Sequence, residues 1–288
     1  MKRLIILFFL CAAACLGDDT WARDNGNWFR NGGNWGKSEP ASGWTDPYSP
    51  HIVLYMQETN GAPTFVDSSG SGLDGTPLPS VGTGPTAGVD LGNRLIDGTP
   101  ELAFEFDGTD DAIDFGTAVR DSFANPTSVT EMTICYWINP DTVTGNDGTF
   151  AFGLFNNSHG TFDCHLIGST LYTAMRRGPN ARTDIAAFTN ANIWSHITHV
   201  WDVPNGYLGT YVNGVVASTN PVNSTTDSMN IITNYKFIGG AYYGSAYGLD
   251  GTMDDFRVYT NALIPAEIMS IYTNTTHPTN SIETRLTP

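Results

Sequence analysis

The sequence predicts an all-β chain folded as a two-sheet antiparallel sandwich. Three observations carry that expectation. The 288 residues include 31 Gly, with many Thr and Asn, a composition rich in turns and poor in helix formers. Short alternating apolar runs recur along the chain, each bounded by Gly, Asn, Asp or Pro. One run, Tyr207–Val212, ends in Asn213-Gly214, the dipeptide that suits a two-residue hairpin.

The elements follow in chain order. Lys2 and Arg3 precede an apolar run from Leu4 to Leu10 and small residues from Ala12 to Ala14. That order is a secretory signal over 1–17, with cleavage near Gly17. The run is too short to span a bilayer, which takes ~20 residues. Lipoprotein anchoring at Cys15 is the alternative, on a poor lipobox. Residues 18–50 hold Trp21, Trp28, Trp35 and Trp44 among Gly and Asn, and read as a linker or strap. A folded domain is expected over 51–272. It opens with Ile52–Met56 and the polar loop Asp67–Gly75, followed by a Gly/Pro-rich connection from Thr76 to Pro100. Leu102, Phe104 and Phe106 then alternate into the turn Asp107–Asp111. Strands are expected at Met132–Ile138, Phe150–Phe155, Thr161–Ile167, Leu171–Met175, Trp194–Trp201 and Tyr235–Ile238. One helix is expected, Pro265–Tyr272, with Ile264 standing where a capping Ser or Thr would. Residues 273–288 read as a frayed tail.

The formal charge is −16, or −16 − 2 = −18 once Lys2 and Arg3 are removed with the signal. Such a surface repels phosphate backbones and anionic lipid, so nucleic acid is a poor partner. Cys135 and Cys164 remain in the domain, either paired or as separate buried hydrophobes.

Several stretches, taken in order, resemble laminin-G-like (concanavalin A-like) domains of secreted bacterial proteins. They are Val53–Glu58 with Asp67–Gly72, Phe106–Asp111, Ile134–Pro140, Trp194–Asp202, Tyr207–Gly214 and Leu249–Tyr272. The resemblance implies a jelly roll that binds more often than it catalyses. It also implies a structural calcium held by Asp67 and Asp254, with Asp74 as a further ligand. Ser71 and Asp255 depart from the family pattern, which usually has Asn and often Glu there.

Hydrolytic machinery is not evident. The paired-Glu motif of jelly-roll glycosidases, which sets two carboxylates roughly 5 Å apart, has no counterpart. His196 and His199 are three apart and so point to opposite faces of a strand. The remaining candidates for ligand contact are Tyr242, Tyr243 and Tyr247, in a loop of small residues, and the basic pair Arg176 and Arg177. The expected function is a secreted, non-catalytic module for a glycan or glycoprotein. A polysaccharide hydrolase or lyase is the first alternative, and a structural surface or matrix assembly protein the second.

Overall fold

A computed structural model of the chain describes residues 20–24, 27–31, 46–59, 61–78, 85–94, 100–109, 111–124, 128–152, 161–176, 182–222, 228, 236–239 and 248–275. The chain divides into two compact units, residues 1–37 and 38–288. In the first, β1 (Thr20–Asp24) and β2 (Asn27–Asn31) pair antiparallel. The signal segment 1–17 lies outside the described residues.

The second unit is the expected sandwich. Its elements are β3 (Ile52–Leu54), β4 (Thr76–Leu78), β5 (Thr86–Arg94), β6 (Pro100–Asp107), β7 (Ala112–Asp114) and the short α1 (Ala118–Ser122). There follow β8 (Glu131–Pro140), β9 (Asn146–Phe152), β10 (Thr161–Ile167), β11 (Thr170–Arg176), β12 (Arg182–Ala187) and β13 (Ser195–Asp202). The last are β14 (Tyr207–Val212), β15 (Val215–Pro221), β16 (Lys236–Ile238), β17 (Asp250–Tyr259) and α2 (Pro265–Asn274). One sheet runs β12-β11-β10-β9-β16-β7-β4, and the other β15-β14-β13-β8-β17-β6-β5. All pairings are antiparallel, and β3 pairs the second half of β17 beyond a bulge at Asp254–Arg257.

The sheets close on an aromatic core that includes Phe104, Phe106, Phe150, Phe152, Phe162 and Trp201. Alternation decides who enters it: along β10, Phe162, Cys164 and Leu166 face inward. A polar chain crosses this core. The Tyr136 hydroxyl on β8 donates to Thr149 Oγ1 on β9 at 2.9 Å and lies 2.9 Å from His199 Nε2 on β13. His199 Nδ1 is 2.8 Å from Thr173 Oγ1 on β11, which is 3.1 Å from Thr210 Oγ1 on β14. Buried polar atoms carry a desolvation penalty unless paired, so these bonds fix which strands of one sheet lie over which of the other.

A second cluster fills the outer face of the β8–β13–β17 sheet under α2, with Cys135, Tyr211, Tyr259, Ile268 and Ile271. Cys135 therefore sits on the opposite side of its sheet from the core that holds Cys164, and both are free thiols. His196 lies on this outer side too, against Trp137 and Tyr272, whereas His199 lies in the core, as the spacing predicts. At the N-terminus of α2 the Glu267 carboxylate accepts the Ile264 N–H at 2.9 Å, which replaces a side-chain cap.

Beneath the cluster lies a buried ion network. Arg257 is fully buried and forks onto Asp255, with Nε to Oδ1 at 2.8 Å and Nη2 to Oδ2 at 2.9 Å. Its Nη1 donates to Asp46 Oδ2 at 2.6 Å, and the Tyr259 hydroxyl donates to the same oxygen. The Tyr55 ring lies 5.5 Å from the guanidinium carbon. Packing of the domain thus already includes Asp46.

Candidate ligand-binding site

The outward positions of β10, β11 and β12 form one mixed layer, in which Asp163 and His165 are themselves buried, at 0 % and 4 % exposed. Asp163 and His165 alternate outward on β10, with Ile167 beyond them, Tyr172 on β11, and Thr183 and Ile185 on β12. Register sets His165, Tyr172 and Ile185 in one row across three strands. Asp163 is fully buried and accepts from His165, whose Nε2 lies 3.0 Å from Oδ2. His165 Nδ1 is 3.3 Å from Asn146 Oδ1, so both ring nitrogens have a polar partner and the imidazole is fixed in place. Around this polar pair Ile167 and Ile185 are exposed, at 41 % and 57 %. Tyr172 is half-buried, its hydroxyl 3.4 Å from Thr183 Oγ1. An aromatic ring and two aliphatic side chains beside anchored hydrogen-bonding groups make a surface suited to a polyhydroxylated ring.

None of Tyr172, Asp163 and His165 stands out in the sequence as a ligand group. The signal was the alternation of β10 against a core made by Phe162, Cys164 and Leu166. Of the sequence candidates, Arg176 ends β11, opposite Thr161. Arg177, Tyr242, Tyr243 and Tyr247 lie outside the described residues.

The proposed calcium ligands stand differently. Asp67 is buried and already holds four donors. Its Oδ1 accepts the N–H groups of Val53 at 3.0 Å and Ser69 at 2.9 Å. Its Oδ2 accepts the Ser69 hydroxyl at 2.9 Å and the Leu73 N–H at 3.0 Å. A carboxylate has about four lone-pair positions, so these are filled. Asp74 Oδ1 accepts the Asp67 N–H at 2.8 Å, and Asp254 Oδ1 the Asp255 N–H at 2.7 Å. The loop carboxylates do not fit a calcium centre: they fold the opening loop onto β3. Among the described residues no three His, Cys, Asp or Glu side chains converge as a ready metal site. Asp67→Ala is expected to cost about 2–4 kcal/mol, because several backbone donors lose their acceptor at once. Urea unfolding reads this, and the loss should be equal with and without chelator.

A separate group of acids sits at one end of the sandwich. The Asp147 carboxyl is pushed up to about 6 by burial and then by the Asp250 charge. Asp250 is raised as well, by burial and then by Asp141 and Asp107.

The two antiparallel sheets and their order define a concanavalin A-like jelly-roll sandwich. The chain belongs to the laminin-G family described as the concanavalin A-like lectin/glucanases superfamily, whose model matches residues 107–269, over half its length. No curated protein matches it. Among solved structures it is similar to a botulinum neurotoxin serotype D binding domain, with 13 % identity, a TM-score of 0.56, and coverage of 81 % of this chain and 51 % of that one. It is similar also to the serotype D ligand-binding domain in complex with N-acetylneuraminic acid, at 14 % identity and TM-score 0.56 over 81 % of this chain and 51 % of that one. A botulinum neurotoxin type C structure, tied to cell entry through two ganglioside molecules, gives 14 % identity and TM-score 0.52 over 79 % and 51 %. The chain thus spans about half the length of these structures, and the likeness is one of fold. No helix among the described residues is long and apolar enough to cross a membrane.

Proposed function

We propose that this chain is a secreted, non-catalytic recognition module for carbohydrate or glycoprotein. It binds through the outer face of β10–β12. The observation that carries the reading is the row His165, Tyr172, Ile185, in which the exposed Ile185 and half-buried Tyr172 stand beside the buried Asp163–His165 pair. Rigid strands hold these groups, so little conformational entropy is lost when a sugar ring packs on them. Tyr242, Tyr243 and Tyr247 and the basic pair Arg176 and Arg177 are proposed as further contacts, the arginines suiting a carboxylated sugar. Similar folds in the toxin domains, one of them bound to N-acetylneuraminic acid, support this ligand class. Export rests on the order Lys2-Arg3, Leu4–Leu10, Ala12–Ala14.

One observation favours the enzymatic alternative: the oriented Asp163–His165 pair resembles the base and its orienting carboxylate in a hydrolase. A nucleophile or paired acid would have to complete it. A glycan array with the full chain is expected to show saturable binding. Tyr172→Ala and Tyr243→Ala should each weaken it by about tenfold, as for loss of one stacking aromatic worth ~1.4 kcal/mol. Release of reducing ends or unsaturated sugars that disappears in His165→Ala would replace this reading with the enzymatic one.

A further inference from the structure

The first unit, residues 1–37, contains the two-stranded sheet of β1 and β2. The residues between these strands, Asn25 and Gly26, are a dipeptide that favours a two-residue hairpin loop. The register pairs Trp21 with Arg30 and Arg23 with Trp28. Positions two apart on a strand, and their direct partners on the neighbouring strand, share a face. One face of the hairpin is therefore Trp21, Arg23, Trp28 and Arg30. The other is Thr20, Ala22, Asp24, Asn27, Phe29 and Asn31.

This division sorts charge as well as aromatic rings. Acids outnumber Lys and Arg in the whole chain by 29 to 13. Residues 38–288 have 8 Lys and Arg against 26 Asp and Glu, so they carry 8 − 26 = −18. Yet both arginines of the hairpin strands fall on one face, and the one acid of those strands, Asp24, falls on the other. Each arginine is directly opposite a tryptophan, a relation that sets Cβ atoms ~5 Å apart, and the two tryptophans are diagonal neighbours at ~7–8 Å. The face thus presents the same pair twice, an indole beside a guanidinium. An indole plane covers the apolar face of a sugar ring with little rotamer freedom to lose. A guanidinium fork matches a carboxylate through two parallel hydrogen bonds. A sugar ring bearing a carboxylate satisfies both members of a pair, and a polymer of such rings repeats its chemistry as the face does.

We propose that this hairpin face binds an acidic polysaccharide of the uronate type, at a site separate from the β10–β12 face. A two-stranded hairpin is only marginally stable by itself in water, so a ligand laid across both strands also orders them. A lipid surface is the poorer occupant. Two tryptophans interleaved with two charges offer little apolar area to bury, and the acidic charge of residues 38–288 opposes approach to anionic headgroups.

The test is a binding titration of the full chain with polygalacturonate at about 0.15 M salt, where charges more than ~8 Å apart are largely screened. The fully methyl-esterified polymer supplies the same rings without the charge, and phosphatidylglycerol vesicles form a second arm. The parent is expected to bind polygalacturonate about tenfold or more tighter than the ester. Trp21→Ala/Trp28→Ala and Arg23→Gln/Arg30→Gln should each weaken that binding by about tenfold or more, as truncating Trp and Arg anchors does. Tyr172→Ala should leave it unchanged, so failure of this site and failure of the recognition reading on β10–β12 are distinguishable. No binding by the parent, equal binding of the ester, or parental affinity in both double variants would each overturn the proposal. Capture by the vesicles without binding to the polymer would replace the polysaccharide with a lipid surface. A lower melting temperature in both double variants at unchanged affinity would show instead that the face packs against the chain itself.

Discussion

Arg257→Leu is expected to destabilise the domain by about 3–5 kcal/mol, a range typical of removing one partner from a buried ion pair. The arginine is fully buried, and its three bonded nitrogens go to Asp255 and Asp46. Removing it leaves the buried Asp255 carboxylate without its counter-charge; burial already raises that carboxyl, and Arg257 is what lowers it again. The loss also removes the charged donor to Asp46, leaving its Oδ2 only the Tyr259 hydroxyl and loosening the chain entering the domain. Urea unfolding would show the effect directly, and thermal melting should fall by roughly 6–20 °C for a domain of this size. The companion Asp255→Leu/Arg257→Leu should recover part of the loss, because replacing a pair by apolar groups is far less damaging than orphaning one charge. A single variant within 1 kcal/mol of the parent would show that the network contributes little.

That network also marks where the sequence stops being legible. Asp46 and Arg257 are 211 positions apart, and nothing in either neighbourhood announces the other. Local signals fared better. Asn213 and Gly214 adopt the positive φ angles, 51° and 76°, that their dipeptide implies, and β14 spans the predicted Tyr207–Val212. Central strands such as β8 and β13 were readable because their apolar residues are dense and buried on both faces. Edge strands were not. β15 reads Val-Val-Ala-Ser-Thr-Asn-Pro, is mostly exposed, and so carries no alternation between a wet face and a dry one. β12 bonds sideways to β15, with the Ser218 hydroxyl donating to Asp184 Oδ1 at 2.6 Å, and its inward face carries an aspartate that no hydrophobic template anticipates. β5 lies within the Gly/Pro-rich stretch Thr76–Pro100, where Gly and Pro mask the strand pattern. Asp67 shows the limit for sites. A carboxylate in a polar loop reads equally as a metal ligand or as a cap for backbone N–H groups, and only the positions of its four donors separate the two.

Acid is expected to weaken the fold through two histidines. Burial pushes His199 down from 6.5 to about 3, and burial followed by the Arg257 charge does the same to His196. The unfolded chain takes up protons at these rings near pH 6.5, whereas the folded chain resists until near pH 3. Their contribution to stability is therefore complete above about pH 6.5 and is lost as the pH falls from there towards 3. One pKa unit corresponds to about 1.4 kcal/mol, so at pH 4.5 each imidazole has removed about 2–3 kcal/mol. Asp147 acts in the opposite sense: its carboxyl is raised to about 6, so the folded form gains a proton before the unfolded one, which softens the decline between pH 6 and 4. Comparing variants isolates the histidines from this background. His199→Gln loses stability at pH 7.5, because it disturbs the bonds to Tyr136 and Thr173, yet its further loss between pH 7 and 4.5 should be about 2–3 kcal/mol smaller than the parent's. His196→Phe should show the same flattening with a milder cost at neutral pH, since the ring packs between Trp137 and Tyr272 and its Nδ1 has no donor or acceptor to lose. Urea unfolding at a series of pH values measures both. Profiles parallel to the parent's in both variants would mean that the imidazoles take up protons in the folded state, and that the core around Tyr136 is wetter than its burial implies.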